Sequence, residues 1–172
     1  MSVRREDVEL IVASVPGFRT GWERFLKNWE SETSPPYYLG MGELAHYIVG
    51  NYAQGITTEL PDLFTTVEAL LHKPDPELEN LITVGLLEDV QNVASHREFG
   101  AGVFRQWLGP RSVEVWDEID AYMRRVAVWS DQQMPRWWQF WRRKAFDPGK
   151  ALPQVENPEL RKIIESSYRK LR

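Results

Sequence analysis

The sequence contains no cysteine. This excludes disulfide bonds, thiolate metal ligands and a cysteine nucleophile, and it fits a protein kept in a reducing compartment. No apolar run approaches the roughly 18 residues that a membrane-spanning helix needs. The N-terminus mixes charges and lacks the long apolar stretch of a signal peptide. We therefore expect a cytoplasmic location.

Known catalytic and cofactor motifs are also missing. The pair Gly40 and Gly42 lacks the third glycine and the preceding strand of a dinucleotide-binding loop, and no Gly-x-Ser-x-Gly elbow occurs. Glu43 and His46 form a single Glu-x-x-His, whereas di-iron helical bundles carry that motif twice together with two further glutamates. We therefore expect a protein that is not an enzyme and that has no catalytic residues, no cofactor and no metal site.

Basic residues are scarce in the middle of the chain. Residues 36–99 hold two Lys or Arg and ten Asp or Glu, a net charge of −8, whereas residues 100–172 carry +5 and the whole chain −4. This separation predicts two surfaces of opposite sign, and the acidic one would attract a basic partner. The alternative is that the two regions face each other or are simply solvated.

Helical periodicity interrupted by proline and glycine runs through the sequence. It predicts an all-α fold, a single domain over residues 1–172 with about seven or eight helices in antiparallel hairpins, in a bundle or a HEAT-like stack. Asp75 and Pro76 have the residue types of an N-cap and a first helical position. The predicted helices lie near residues 5–14, 20–29, 42–53, 61–71, 76–96, 100–108, 110–129 and 158–171, with an irregular linker at 145–157. On the helix from residue 110, Tyr122 and Met123 extend the apolar stripe.

The stretch 79–96 is the centre of this pattern. Residues 81–87 are apolar on nearly every side, and Gly85 is best explained by a close helix crossing, because glycine costs about 1 kcal/mol in a helix. A short strand is the alternative for 81–87, but the preceding cap favours a helix. A polar ridge follows at helical spacing. It is either a solvated edge or a partner-binding surface, whose candidate residues are Glu88, Asp89, Asn92 and His96.

Tryptophan and arginine are concentrated in residues 134–144. If that segment is helical, three indoles share one face and the basic residues lie largely off it. The indoles could pack on the bundle, or the segment could bind a membrane surface or single-stranded nucleic acid. Because the segment is short and the protein acidic, we expect no nucleic-acid partner. The membrane interpretation, a peripheral membrane protein, involves Trp137, Trp138, Trp141, Arg142 and Arg143.

The pattern of residues 80–92, followed by Leu108-Gly109-Pro110, resembles a group of small helical bacterial proteins. Some of these look like immunity proteins encoded beside polymorphic toxins. The resemblance covers residues 60–123 and implies a cytoplasmic protein that binds a cognate toxin and does no chemistry. Our leading hypothesis is therefore a non-enzymatic protein-binding module, an immunity protein that neutralises a basic toxin domain through acidic residues of the 59–98 region.

Overall fold

A computed structural model of the chain describes residues 3–133, and the surroundings of side chains for residues 3–125. This part of the chain is helical and contains no β-strand, which confirms the all-α prediction. The α-helices are α1 (Arg5–Ala13), α2 (Arg19–Asn28), α3 (Tyr37–Ala53), α4 (Leu60–Leu71), α5 (Pro76–Asn80), α6 (Asp89–Ser95) and α7 (Pro110–Gln133). Short 3-10 helices cover Pro16–Phe18 and Ala101–Trp107, and a π-helical segment, Leu81–Glu88, joins α5 to α6.

Packing divides the chain into two compact units, Met1–Met123 and Arg124–Arg172. The core of the first unit is built around three fully buried aromatic side chains, Trp22, Phe64 and Phe104. The predicted stripe of α7 holds as far as Ile119, which is buried, but Tyr122 and Met123 are 54% and 41% exposed.

Helix α3 begins at Tyr37, five residues before the predicted start near residue 42. Its early glycines are packing positions and not helix breaks. A Cβ at Gly40 would lie only 2.6 Å from Cζ3 of Trp22, so the absence of a side chain lets α2 approach α3 closely. Glycine lowers the intrinsic stability of a helix, and here tight packing of a buried indole offsets that cost.

Residues 76–95 form one continuous helical rod, which we call the central helix; it comprises α5, the π-helical segment and α6. Its first turn is capped as the sequence predicts, because the Asp75 carboxylate accepts hydrogen bonds from the backbone N–H groups of Glu77 and Leu78, both at 3.2 Å. The middle is π-helical and not α-helical as expected. Such i→i+5 segments are rare, usually a single turn long, and frequent at functional sites.

The central helix runs in the same direction as α3. Tyr38 of α3 contacts Asn80, and Tyr52 stacks edge-on against Phe99, just beyond the central helix, with 4.8 Å between ring centroids. The N-terminal parts of the two helices therefore lie beside each other, and so do their C-terminal parts. The main helix pairing of the described residues is therefore parallel, between α3 and the central helix, and α4 is the connection between them.

Gly85 lies where α3 crosses the π-helical segment. A Cβ at this position would be 3.3 Å from Cδ1 of Leu81, 3.3 Å from Cδ1 of Tyr38 and 3.4 Å from Cβ of Met41. These distances are tighter than ordinary van der Waals contacts. The predicted close crossing at Gly85 is therefore present, and it brings the two parallel helices into the contact from which the candidate site is built.

Candidate protein-binding face

Asp89 lies at the junction of the π-helical segment and α6, directly over the backbone of α3. A Cβ at Gly42 would be 2.9 Å from Oδ2 of Asp89, so the glycine leaves the space that the carboxylate occupies. The side chain of His46, one turn further along α3, is near enough to interact electrostatically with Asp89. The chain thus brings together Gly42, His46 and Asp89, which are far apart in sequence.

Helical spacing places a second stripe beside this contact. Gly85 and Asp89 face α3 along the seam, and the stripe next to them at i, i+4 and i+8 comprises Val84, Glu88 and Asn92. Val84 and Asn92 are exposed and Glu88 is half-buried. On the α3 side of the seam, exposed side chains also reach solvent. We call this surface the seam face, and its residues are Tyr38, Leu39, His46, Val84, Glu88, Asp89, Asn92 and His96.

The four sequence candidates therefore lie on one surface but differ in their surroundings. Asp89 and Glu88 are half-buried, Asn92 is exposed, and His96 is exposed at the C-terminal end of α6. The backbone carbonyl of Asn92 accepts a hydrogen bond from the Ser95 hydroxyl at 2.7 Å. Asn92 and His96 therefore lie at a solvated edge. Asp89, in contrast, is a partly desolvated carboxylate that lies against α3.

Asp89 is electrostatically unusual. Burial raises the pKa of its carboxyl above the ordinary value, and the nearby charge of His46 offsets only part of that rise. Within the described range, Asp89 forms no hydrogen bond or ion pair with another residue, although its oxygens still reach water. By contrast, the buried carboxylate of Asp7 accepts a hydrogen bond from Nζ of Lys73 at 2.6 Å. Asp89 is thus held in a place that disfavours its charge, and His46 balances that charge only in part.

Neither α3 nor the central helix contains a Lys or an Arg, so His46 is the one basic side chain of these two helices that acts on Asp89. The seam face also has an apolar end at the level where Tyr38 meets Gly85. Leu39 is 58% exposed, Val84 41% and Tyr38 40%. Exposed apolar residues beside polar ones are a common feature of protein interaction surfaces. The seam face therefore combines an apolar end with an acidic end.

Sequence reasoning missed the α3 half of this surface. His46 was considered only with Glu43, as one Glu-x-x-His, yet Gly42 and not Glu43 faces Asp89 on the helix. Glu43 is exposed, one residue and about 100° away from that contact. Within the part of the chain that the structure describes, no three His, Asp or Glu side chains converge to hold a metal ion. The available signal was the pair of glycines in α3, which marks close approach by other elements.

The other proposed surface, the Trp/Arg-rich segment 134–144 with Trp137, Trp138, Trp141, Arg142 and Arg143, lies outside the described residues. So do the predicted linker 145–157 and the predicted helix 158–171. Peripheral membrane association through the tryptophans stays a prediction from composition. Across residues 3–133, none of the helices has both the length and the apolarity needed to cross a bilayer.

The described residues define an all-α domain with a mixed acidic and apolar face between two parallel helices. A family model described as a domain of unknown function, DUF7674, matches residues 8–124, and the chain belongs to this family. The match covers the first unit almost completely, including every residue of the seam face. No curated protein and no solved structure gives a significant match to the chain.

Proposed function

We propose that this chain is a non-enzymatic protein-binding module whose seam face binds a basic partner protein. The observation that carries the proposal is the half-buried carboxylate of Asp89, which lies between two helices that have no Lys or Arg and is only partly compensated by His46. A carboxylate in this setting is better stabilised by an incoming cation than by water alone. Its partial desolvation is a cost to the free protein that binding would recover.

The distribution of charge supports the same proposal. The acidic region 36–99 includes the whole seam face, and opposite charge on a partner would raise the rate of association and select against acidic proteins. The exposed Leu39 and Val84 beside the acidic residues supply apolar contact area, which charge alone does not. Interfaces commonly combine an apolar centre with polar surroundings in this way.

The finer form of the proposal is an immunity protein that acts in the cytoplasm. In this form the partner is a toxin domain with a basic active site, and the seam face covers that site. A tightly packed helical surface suits the role, because little conformational freedom is lost on binding. The support for this form is physical compatibility together with the sequence resemblance over residues 60–123.

The test is co-expression of this chain with the tagged product of the adjacent gene, followed by co-purification and a growth assay. We expect the wild-type chain to co-purify and, in the immunity form, to restore growth. The double variant Glu88→Lys, Asp89→Asn should bind at least tenfold more weakly, since it removes the acidic end of the seam face. Glu118→Lys, which reverses an exposed carboxylate on α7 as Glu88→Lys does on the seam face, is the control for charge reversal and should bind nearly as the wild type does.

Two results would oppose the proposal. One is the absence of co-purification with the neighbouring protein in either tag orientation. The other is equal binding by the wild-type chain and the Glu88→Lys, Asp89→Asn variant, which would show that the seam face is not the contact surface. Circular dichroism of each purified variant establishes that a loss of binding does not reflect a loss of helical structure.

A further inference from the structure

The seam face lies between two parallel helices, with its apolar and acidic ends at different positions along the helix axes. The apolar end lies where Tyr38 meets Gly85, and the acidic end lies where Asp89 meets Gly42. Val84 and Asp89 are five residues apart, which is roughly one helical turn along the central helix. A ligand that engages both ends must therefore present an apolar group and a cation roughly one to two helical turns apart.

We propose that the partner places a basic amphipathic helix along the seam face, with an apolar side chain against Leu39 and Val84 and an arginine at Asp89. This inference rests on the proposed function and names the form of the partner. In a helix, residues at i and i+4 share a face and are about 6 Å apart along the axis, which matches the separation of the two ends. Recognition of an amphipathic helix by a groove between helices is a common mode of protein binding.

Arginine suits the acidic end better than lysine does. The Asp89 carboxylate is half-buried beside the Gly42 backbone, and its oxygens are open to the seam. A guanidinium is planar, more weakly hydrated than an ammonium and able to donate two parallel hydrogen bonds to one carboxylate. Glu88 and Asn92, on the neighbouring stripe, are placed to accept further donors from the same helix.

Charge complementarity excludes the opposite kind of occupant. An acidic helix would place carboxylates beside Glu88 and Asp89 with no Lys or Arg on α3 or the central helix to compensate them. A second copy of this chain that docked through its own seam face would bring the same acidic end to this surface. The occupant that the charges and the exposed apolar residues favour is therefore a basic helix from a different protein.

The experiment uses the full-length protein, labelled for NMR, and three synthetic 18-residue peptides. The first has leucines on one helical face and arginines on the other. The second has the same composition in scrambled order, and the third replaces every arginine with glutamate. We expect the first peptide to bind saturably, with the largest shift changes at amides of residues 38–46 and 84–92. The scrambled peptide should bind at least tenfold more weakly, and the glutamate peptide should not bind.

The carboxyl carbon of Asp89 provides a local readout. A bound arginine favours the ionised form, so the first peptide should lower the pKa of Asp89 relative to the free protein. Asp89→Asn should weaken binding at least tenfold, and Leu39→Ser several-fold. Leu10→Ser, which changes an exposed leucine on α1, is the control for apolar contact and should leave the affinity unchanged.

The outcomes separate this inference from the proposed function. Two results would overturn the inference that a helix binds the seam face. One is a set of chemical-shift changes located away from that face, and the other is equal affinity of the amphipathic and scrambled peptides. If the natural partner still co-purifies and loses binding in the Glu88→Lys, Asp89→Asn variant, protein binding at the seam face would stand without a helix. If neither the amphipathic peptide nor the neighbouring protein binds, both proposals fail.

Discussion

Glu68 on α4 caps the N-terminus of α7 by accepting hydrogen bonds from Ser112. The Glu68 carboxylate accepts hydrogen bonds from the backbone N–H of Ser112 at 2.8 Å and from the Ser112 hydroxyl at 2.7 Å, and from the N–H of Arg111 at 2.9 Å. A Cβ at Gly109 would lie only 2.5 Å from Cδ of Glu68, so glycine is needed there to admit the carboxylate. A side chain 44 residues away thus performs the role that a local N-cap usually performs.

Removal of this cap should destabilise the fold. Glu68→Ala leaves the backbone N–H groups of Arg111 and Ser112 without their acceptor, while the buried Ser112 hydroxyl keeps only the Gly109 carbonyl at 3.1 Å. We expect the free energy of unfolding to fall by about 1–3 kcal/mol. Urea denaturation followed by circular dichroism measures the change. Glu118→Ala, an exposed carboxylate on α7, is the matched control and should change stability by less than about 0.5 kcal/mol. Equal stability of the two variants would show that the cap contributes little.

The same carboxylate should make stability depend on pH. Burial opposes ionisation of Glu68, but the hydrogen bonds from Ser112 and Arg111 outweigh it, so the pKa of Glu68 lies below its ordinary value. Ionised Glu68 therefore stabilises the fold above the unfolded-state pKa, and that contribution is lost as the pH falls toward the folded-state pKa. Unfolding curves from pH 7 to pH 3 should show the difference between wild type and Glu68→Gln shrinking below about pH 4.5. A constant difference across that range would contradict the assignment.

Much of this architecture follows from local sequence patterns. Asp75 with Pro76 indicates a capped helix start, and the apolar spacing of α4 and α7 reflects the faces that they bury. These signals depend on residues close together in the chain. The cap on α7 does not, because Glu68 and Ser112 are brought together only by the packing of α4 against the start of α7. No spacing rule relates a glutamate to a helix N-terminus 44 residues later.

The candidate site was predictable to a similar extent. The ridge containing Glu88, Asp89 and Asn92 follows from helical periodicity, but its partial burial depends on α3. The helix predicted from about residue 42 starts at the second glycine of Gly40-Met41-Gly42, whereas α3 begins at Tyr37 and both glycines lie inside it, where they accept side chains from neighbouring helices. The π-helical segment has the same apolar composition as a buried α-helix, so the sequence alone does not distinguish the two.

Two helical glycines should respond differently to alanine. Nothing lies within 4 Å of a Cβ added at Gly50 on α3, so Gly50→Ala should raise stability by about 0.4–1 kcal/mol through the entropy of the unfolded chain. At Gly85 the same gain is opposed by contacts with Leu81, Tyr38 and Met41, and we expect no net gain. Gly85→Leu should cost about 1–3 kcal/mol, because the crossing must open. Thermal melts of the three variants test this, and equal gains at both positions would show that the crossing is looser than described.

Asp89 should show the opposite pH behaviour to Glu68. Because burial raises the pKa of its carboxyl, the ionised form destabilises the folded chain, and this cost is absent below the unfolded-state pKa and grows as the pH rises through the folded-state pKa. Asp89→Asn removes the charge and keeps the shape. We expect it to be slightly more stable than wild type at pH 7, on the order of a few tenths of a kcal/mol, and to lose that advantage near pH 3.

The stability and the peptide affinity of Asp89→Asn, measured together, distinguish a structural role of Asp89 from a role in binding. If Asp89→Asn stabilises the free protein and also weakens the amphipathic arginine peptide at least tenfold, the carboxylate is retained at a cost to stability for the sake of binding. Paired unfolding and binding measurements on one preparation give both quantities. A variant that is less stable at pH 7 would instead mean that the charge of Asp89 supports the fold, through His46 across the seam.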